Sequence, residues 1–242
     1  KVKFVSVTNG DAGHQSEGGG MLGARRRAEA EESGRRLGIE YDVLDNHDGE
    51  LVPSLEVRVQ VIRKIREWNA DVVLAPRPND YHPDHRYSAM LVQDAAYIVT
   101  DPNMCPLTPF VDTNPIIMYL SDTFQKPLPF EADIVVDIDD VIEKKIDMLH
   151  CHTSQMYEWL PFNSGVLDQV PDGDAERRAW MAERRLGAFS AVADRFRDKL
   201  VDLYGDEHGS AVQYAEAFEV CEYGSSLTPE RQQTLFPFIA GK

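Results

Sequence analysis

Two histidines spaced as His82-Pro83-Asp84-His85, flanked by Asp80, Tyr81 and Arg86, are the residues of this chain best suited to chemistry. Pro83 fits the first turn of a helix, where its missing N–H would have no partner anyway. His82 then falls at the cap and His85 about one turn in, and residues three apart on a helix share a side. Two imidazoles on one side allow one to bind a metal while the other acts on a substrate. An isolated HxxH is by default a capping histidine beside an exposed one. Asp80 and Asp84 weigh against that reading, because carboxylates next to imidazoles fix the ring tautomer.

The elements around this motif say where it sits. The apolar run Val72, Val73, Leu74, Ala75 precedes the loop. It reads as a strand buried on both faces of a parallel sheet, ending where open α/β sheets place their ligands. A second strand over residues 2–8 runs into Asn9-Gly10-Asp11-Ala12-Gly13-His14. If the two strands are parallel neighbours or near neighbours in one sheet, both loops lie on one edge and can share a pocket. Gly18, Gly20 and Gly23 match GxGxxG, with Asp42 at the distance of a ribose ligand. That fingerprint needs its first glycine to abut the strand, and a polar loop separates Gly18 from Thr8. The stretch therefore reads as a flexible glycine hinge.

Strand and helix signals alternate through the rest of the chain. Residues 24–37 form a charged helix stopped by Gly38, with Arg26 and Glu29 by default a surface ion pair of little worth. A strand over 41–44 ends in the polar loop Asn46-His47-Asp48-Gly49-Glu50, and an amphipathic helix follows over 55–68. The helix opened by His82 extends to about Tyr97, and residues 101–115 form a long proline-rich loop over the sheet or the pocket. Strands are expected at 116–120 and 134–138, then a helix to about Leu149. His150-Cys151-His152 only superficially resembles a metal cluster, since positions i and i+2 of a helix face different ways, leaving one histidine to face the pocket. A long charged helix at 177–203, a strand at 214–220 and a short helix at 229–235 complete the pattern. The alternation is that of an α/β protein with a mostly parallel sheet and helices on both faces.

Composition narrows the function. The 242 residues, 43% hydrophobic and 27% charged, suit one domain spanning 1–242. A formal charge of −16 makes nucleic acid and anionic membrane surfaces poor partners. Cys105, Cys151 and Cys221 form no CxxC pair and read as reduced thiols of a cytoplasmic protein. No run approaches the roughly 18 apolar residues of a membrane span. Oligomeric state is left open, a homo-oligomer included.

Several stretches together resemble the PIG-L/LmbE family of metal-dependent N-deacetylases. They are the Thr8-to-Gly13 loop (TNGDAG), Arg26-x-x-Glu29 running into Leu37-Gly38, Asp48-Gly49-Glu50-Leu51, Asn79-to-Arg86 (NDYHPDHR), and Lys145 with His152-x-Ser154-Gln155. The resemblance runs in family order to about Leu160. It implies a Rossmann-like fold holding Zn2+ or another divalent metal, and hydrolysis of the N-acetyl group of an N-acetylglucosamine-type amino-sugar derivative, a small-molecule substrate. It further implies His85 as a metal ligand, His82 as the imidazole that stabilises the oxyanion or protonates the amine, and Asp84 as its orienting partner. Arg26 and Asp48, with Asp11 and His14, become substrate contacts.

One part of the family pattern is missing. Members carry an AHPDD motif that supplies two further ligands and the general base, and this sequence has none. A strand and helix bearing it are expected before Lys1, so that the strand at 2–8 or the one at 71–75 has an open neighbouring position. His85 would then face a cavity with no protein carboxylate close enough to complete a metal site. The competing readings are a non-catalytic sugar-binding member of the same fold and a hydrolase with another ligand set, for which Asp11, His14, His47 and Asp48 are available. No GxSxG follows a strand, which argues against a serine nucleophile.

Overall fold

The computed structural model describes residues 1–239. In chain order its strands and α-helices begin with β1 (Lys3–Thr8), α1 (Gly19–Leu37), β2 (Glu40–Asn46), α2 (Leu55–Trp68), β3 (Val72–Ala75), α3 (Pro83–Ile98), β4 (Ile116–Leu120) and β5 (Ile134–Asp137). They continue with α4 (Ile142–Cys151), α5 (Leu160–Asn163), α6 (Asp174–Arg195), α7 (Arg197–Tyr204), α8 (Asp206–Ala211), β6 (Ala215–Cys221) and α9 (Pro229–Leu235). The chain divides into two compact units, the first made of Lys1–Leu51 and Asp139–Phe189, the second of Val52–Ile138 and the residues from Ser190 onward.

The first unit is built on a βαβ crossover. β1 and β2 pair in parallel, Lys3 opposite Glu40 and Val5 opposite Asp42, with an irregularity between Ser6 and Thr8. α1 starts at Gly19 rather than at Ala24, because the Gly19 N–H donates to the Asp11 carbonyl at 2.7 Å and anchors the first turn to the β1 loop. The expected glycine hinge is thus helix. α1 ends where Gly38 turns left-handed at φ 67° and its N–H reaches back to the Arg35 and Gly34 carbonyls. Gly34 lets α1 approach β2 closely, since a Cβ there would lie 2.9 Å from the Ile39 carbonyl oxygen and 3.2 Å from Tyr41 Cβ. Gly34→Val should therefore cost about 2 kcal/mol and lower Tm by about 4–8 °C in a thermal melt, overpacking outweighing its better helix propensity. An unchanged melt would show that the helix shifts freely.

In the second unit a four-stranded sheet has the order β3-β4-β6-β5. β3 and β4 are parallel, whereas β6 runs antiparallel to both β4 and β5. Its core joins Ile116, Met118, Ile134, Val135, Leu200 and Phe218. α2 is capped by the Ser54 hydroxyl, which accepts from Val57 N, and buries Val57, Val61, Ile62 and Ile65. The buried Arg66 guanidinium gathers the carbonyls of Ile98, Val99, Asp101, Met104 and Thr108, which folds the proline-rich loop without regular structure.

Two expectations about the sheet need correction. β1 and β3 are not in one sheet, since β1 pairs with β2 and β3 with β4. β3 is also not buried on both faces: it is an edge, with Leu74 47% exposed. β1 is likewise an edge strand, and its Phe4 and Val5 are exposed. Each strand accordingly has an open neighbouring position among the described residues, as expected. The charged helix expected at 177–203 is broken at Phe196 into α6 and α7. No described helix is long and apolar enough to cross a membrane.

Candidate functional site

The loop after β3 closes on α3 through one carboxylate. Asp80 Oδ1 accepts from the His82 backbone N at 2.9 Å and lies 3.1 Å from His85 Nδ1. His82 caps α3, its Nδ1 accepting from Asp84 N at 3.2 Å. These contacts put the two rings in opposite tautomers. His82 receives a hydrogen bond at Nδ1, so its neutral ring carries the proton on Nε2. His85 donates at Nδ1 to a carboxylate, so its lone pair is on Nε2. The rings lie 4.9 Å apart, one ready to donate a proton and the other to bind an electrophile. Arg86 holds the loop through the Asp80 and Tyr81 carbonyls, and Tyr81 meets both imidazoles edge-on. Asp84 is buried in the first turn of α3. Asp80 is the carboxylate beside His85, and it takes up Nδ1 of the ring.

In the first unit the loop after β1 is organised by Arg26. Its Nη1 donates to the Gly10 and Ala12 carbonyls at 2.8 and 2.7 Å, and its Nη2 to the Gly13 carbonyl and Gln155 Oε1 at 2.7 and 2.9 Å. Nε reaches Ser154 Oγ at 3.4 Å, and Asp48 Oδ2 stands 3.6 Å from Nη1. Glu29 does not pair with Arg26 at the surface; it accepts from Ser154 N and Oγ at 2.9 and 2.7 Å. Ser154 opens a single π turn, Ser154–Trp159, of a kind frequent at functional sites. Glu158 of the same turn receives both terminal nitrogens of Arg25 and faces His14 Nε2 at 2.8 Å.

Residues 1–96 match the PIG-L family, described as GlcNAc-PI de-N-acetylase. A diacetylchitobiose deacetylase of Thermococcus kodakarensis is 30% identical over 173 residues, 66% of this chain. The chain thus carries a PIG-L match over its first 96 residues and resembles deacetylases of the PIG-L/LmbE family. It spans 63% of the length of that curated relative. Among solved structures, the N,N'-diacetylchitobiose deacetylase of Pyrococcus horikoshii is 25% identical with a TM-score of 0.64, over 92% of this chain and 73% of that one. A 4-carboxy-2-hydroxymuconate hydratase of Pseudomonas putida has a TM-score of 0.68 at 17% identity, over 93% and 85% of the two chains, a likeness of fold alone.

The expected site residues fall into two groups. His82, Asp84 and His85 are together in the second unit, while Asp11, His14, Arg26 and Asp48 are together in the first. Arg26 has its donors committed to the loop, so a sugar contact would cost it one of these bonds. The same holds for His14, whose Nδ1 accepts from Ser16 N and Glu17 N while Nε2 meets Glu158. This also removes His14 as a ready metal ligand. His150 does not face a pocket; it is buried against Tyr157, its Nδ1 2.6 Å from the phenol oxygen. Burial lowers the His152 pKa and keeps that ring neutral. Glu158 and Trp159 are the residues that sequence reasoning missed, for they follow the HxSQ stretch without a motif of their own.

Asp11 is turned to His47, Oδ2 to Nδ1 at 2.5 Å, and accepts from Asp48 N at 3.0 Å. The bond from Asp11 raises the His47 pKa above its ordinary 6.5. Burial pushes the Asp11 carboxyl up, but the bonds from His47 and Asp48 outweigh it and hold the group below its ordinary 3.8. The raised imidazole contributes stability that is full below 6.5 and is lost as pH rises through its folded value. The lowered carboxyl contributes above 3.8 and loses its share as pH falls. The stability gap between wild type and His47→Ala, from urea midpoints, should thus peak at about pH 5–6 and shrink toward about pH 8. A gap that does not vary with pH would remove this pair as the cause.

Proposed function

We propose that this protein is a metal-dependent N-deacetylase that hydrolyses the acetamide of an N-acetylglucosamine-type sugar to a free amine and acetate. The PIG-L match supports the reaction class, and the related diacetylchitobiose deacetylases support the sugar. The observation that carries the reading is the pair of opposite tautomers set by Asp80 and the α3 cap. The donor chemistry of His85 fits a metal, because a carboxylate on Nδ1 raises the basicity of Nε2. His85 would hold zinc or another divalent ion; such an ion lowers the pKa of water toward about 7 and polarises an amide carbonyl. His82 has the N–H for the carbonyl oxygen as charge develops there, or for the leaving amine. Asp84 steadies the cap that holds His82. Asp48 and Arg26 would meet sugar hydroxyls, with Asp11 and His14 shaping the same loop. The unpaired thiols of Cys105, Cys151 and Cys221 suit a reducing compartment, and we place the protein in the cytoplasm.

The second reading is a sugar-binding protein of the same fold without turnover. Incubating the full-length protein with N,N'-diacetylchitobiose separates the two. Release of primary amine and acetate in equal amounts, with about one divalent ion per chain by mass spectrometry, is expected of the enzyme. Sugar binding with neither amine nor metal would sink the deacetylase.

A further inference from the structure

β3 and β4 are parallel, so the loops that follow them leave the same edge of the second unit's sheet. The loop after β3 carries Tyr81 and the two imidazoles; the loop after β4 carries Phe124, whose ring lies 6.4 Å from that of Tyr81. Tyr81 in turn stands 5.8 Å from the His82 ring and 5.7 Å from that of His85. Rings that meet in this way usually close a core, yet Tyr81 is 73% exposed. The backbone at Phe124 is fixed in advance. Its N–H donates to Asp122 Oδ1 at 2.9 Å, and Asp122 accepts from the buried Arg77 at 3.2 Å. Arg195 pins the same loop through the Asp122 and Phe130 carbonyls, at 2.6 and 3.1 Å.

The charged side chains around this aromatic pair are already engaged. Asp80 serves His82 and His85, Arg86 the Asp80 and Tyr81 carbonyls, and Asp122 the Arg77 guanidinium. What remains beside the imidazoles is mostly ring surface, which suits a hydrocarbon chain better than a ring of hydroxyls whose hydrogen bonds would go unmade there. The carbonyl oxygen that His82 serves and the acyl chain of an amide are bonded to one carbon, so the chain starts next to the imidazoles and a few methylenes carry it onto Tyr81. We propose that Tyr81 and Phe124 form an acyl-chain surface of the second unit, through which the protein favours N-acyl groups longer than acetyl. This rests on the deacetylase reading for the amide, but not for the surface. Hydrolysis is unchanged by the chain: water adds its hydroxyl to the acyl carbon and its proton to the nitrogen as the C–N bond breaks, and the chain leaves as its carboxylic acid. Each added methylene should raise affinity about two- to fourfold, the upper value for full burial.

The test compares N-acetyl-, N-propionyl- and N-butyrylglucosamine on full-length wild type and Phe124→Ala, with binding read by calorimetry and kcat/KM by amine release. In wild type the N-butyryl compound should bind about four- to sixteenfold tighter than the N-acetyl compound, and in Phe124→Ala that advantage should fall below about twofold. The ratio is the readout, because damage to the fold lowers both affinities alike. Phe124→Leu, which restores apolar area without a ring, should recover part of the advantage. Equal affinities for the three compounds in wild type, a ratio unchanged in Phe124→Ala, or no binding of any of them would overturn the acyl surface. A chain-length preference in binding that Phe124→Ala abolishes, in a protein that releases amine from none of the three, would uphold the surface while the deacetylase reading fails.

Discussion

His85→Ala in the full-length protein should lose bound metal, whereas His82→Ala should keep it and still lose turnover. The two rings sit one turn apart, but Asp80 and the cap of α3 fix them in opposite tautomers. Removing His85 deletes the lone pair proposed as a ligand; removing His82 deletes only a proton donor. General acid catalysis contributes about 10²–10⁴ in rate, and the kcat of His82→Ala should fall within that range. Asp80→Asn should lie between the two, losing about 10–100-fold in metal affinity or activity as the His85 tautomer is released. Metal content separates the roles, because activity is low in every variant. Equal metal loss in His82→Ala and His85→Ala would refute the division of labour.

Arg26→Ala should be the most destabilising single change near the β1 loop. One guanidinium there holds three carbonyls of the loop, Gly10, Ala12 and Gly13, and ties them to Gln155 and Ser154. Its side chain is largely buried, and burial lowers its pKa against the pull of Asp48 and Glu29. Truncation strands several of these acceptors, and we expect a loss of about 3 kcal/mol, or about 6–12 °C in Tm. Arg26→Lys restores charge but offers three donors on a single atom where a planar fork is used, and should recover less than half of that loss. A melt within about 2 °C of wild type for Arg26→Ala would show that the loop is held by other contacts.

Elements whose causes are local were legible in the sequence. α2, β4 and α9 match the expected bounds, because Ser54, the proline-rich loop and Thr228-Pro229 mark them in the chain itself. The HPDH loop was legible for the same reason: cap, proline and carboxylate lie within a few residues. What escaped depends on distant partners. The true start of α1 comes from a bond to Asp11, and three glycines in this stretch conceal it. Phe196 breaks the long helix where its ring meets Phe130, 5.7 Å away, which no periodicity announces. The role of Glu158 depends on Arg25 and His14, 133 and 144 residues earlier. Arg26 and Glu29, one helical turn apart, look like partners in sequence, yet both are drawn to the π turn, where they share the Ser154 hydroxyl.

The position of β6 bears on how the protein is made. β5 has β6 as its hydrogen-bonding neighbour, and β4 needs the same strand on its second side. β4 and β5 leave the ribosome well before it, and at about 5–20 residues per second both wait several seconds with apolar edges unsatisfied. Ile117, Met118, Ile134 and Val135, all fully buried at the end, lack part of their cover in that interval. The sheet of the second unit therefore cannot close until Ala215–Cys221 has been made, since that strand lies between β4 and β5. Nascent chains halted before Ala215 are the species that chaperones would have to shield.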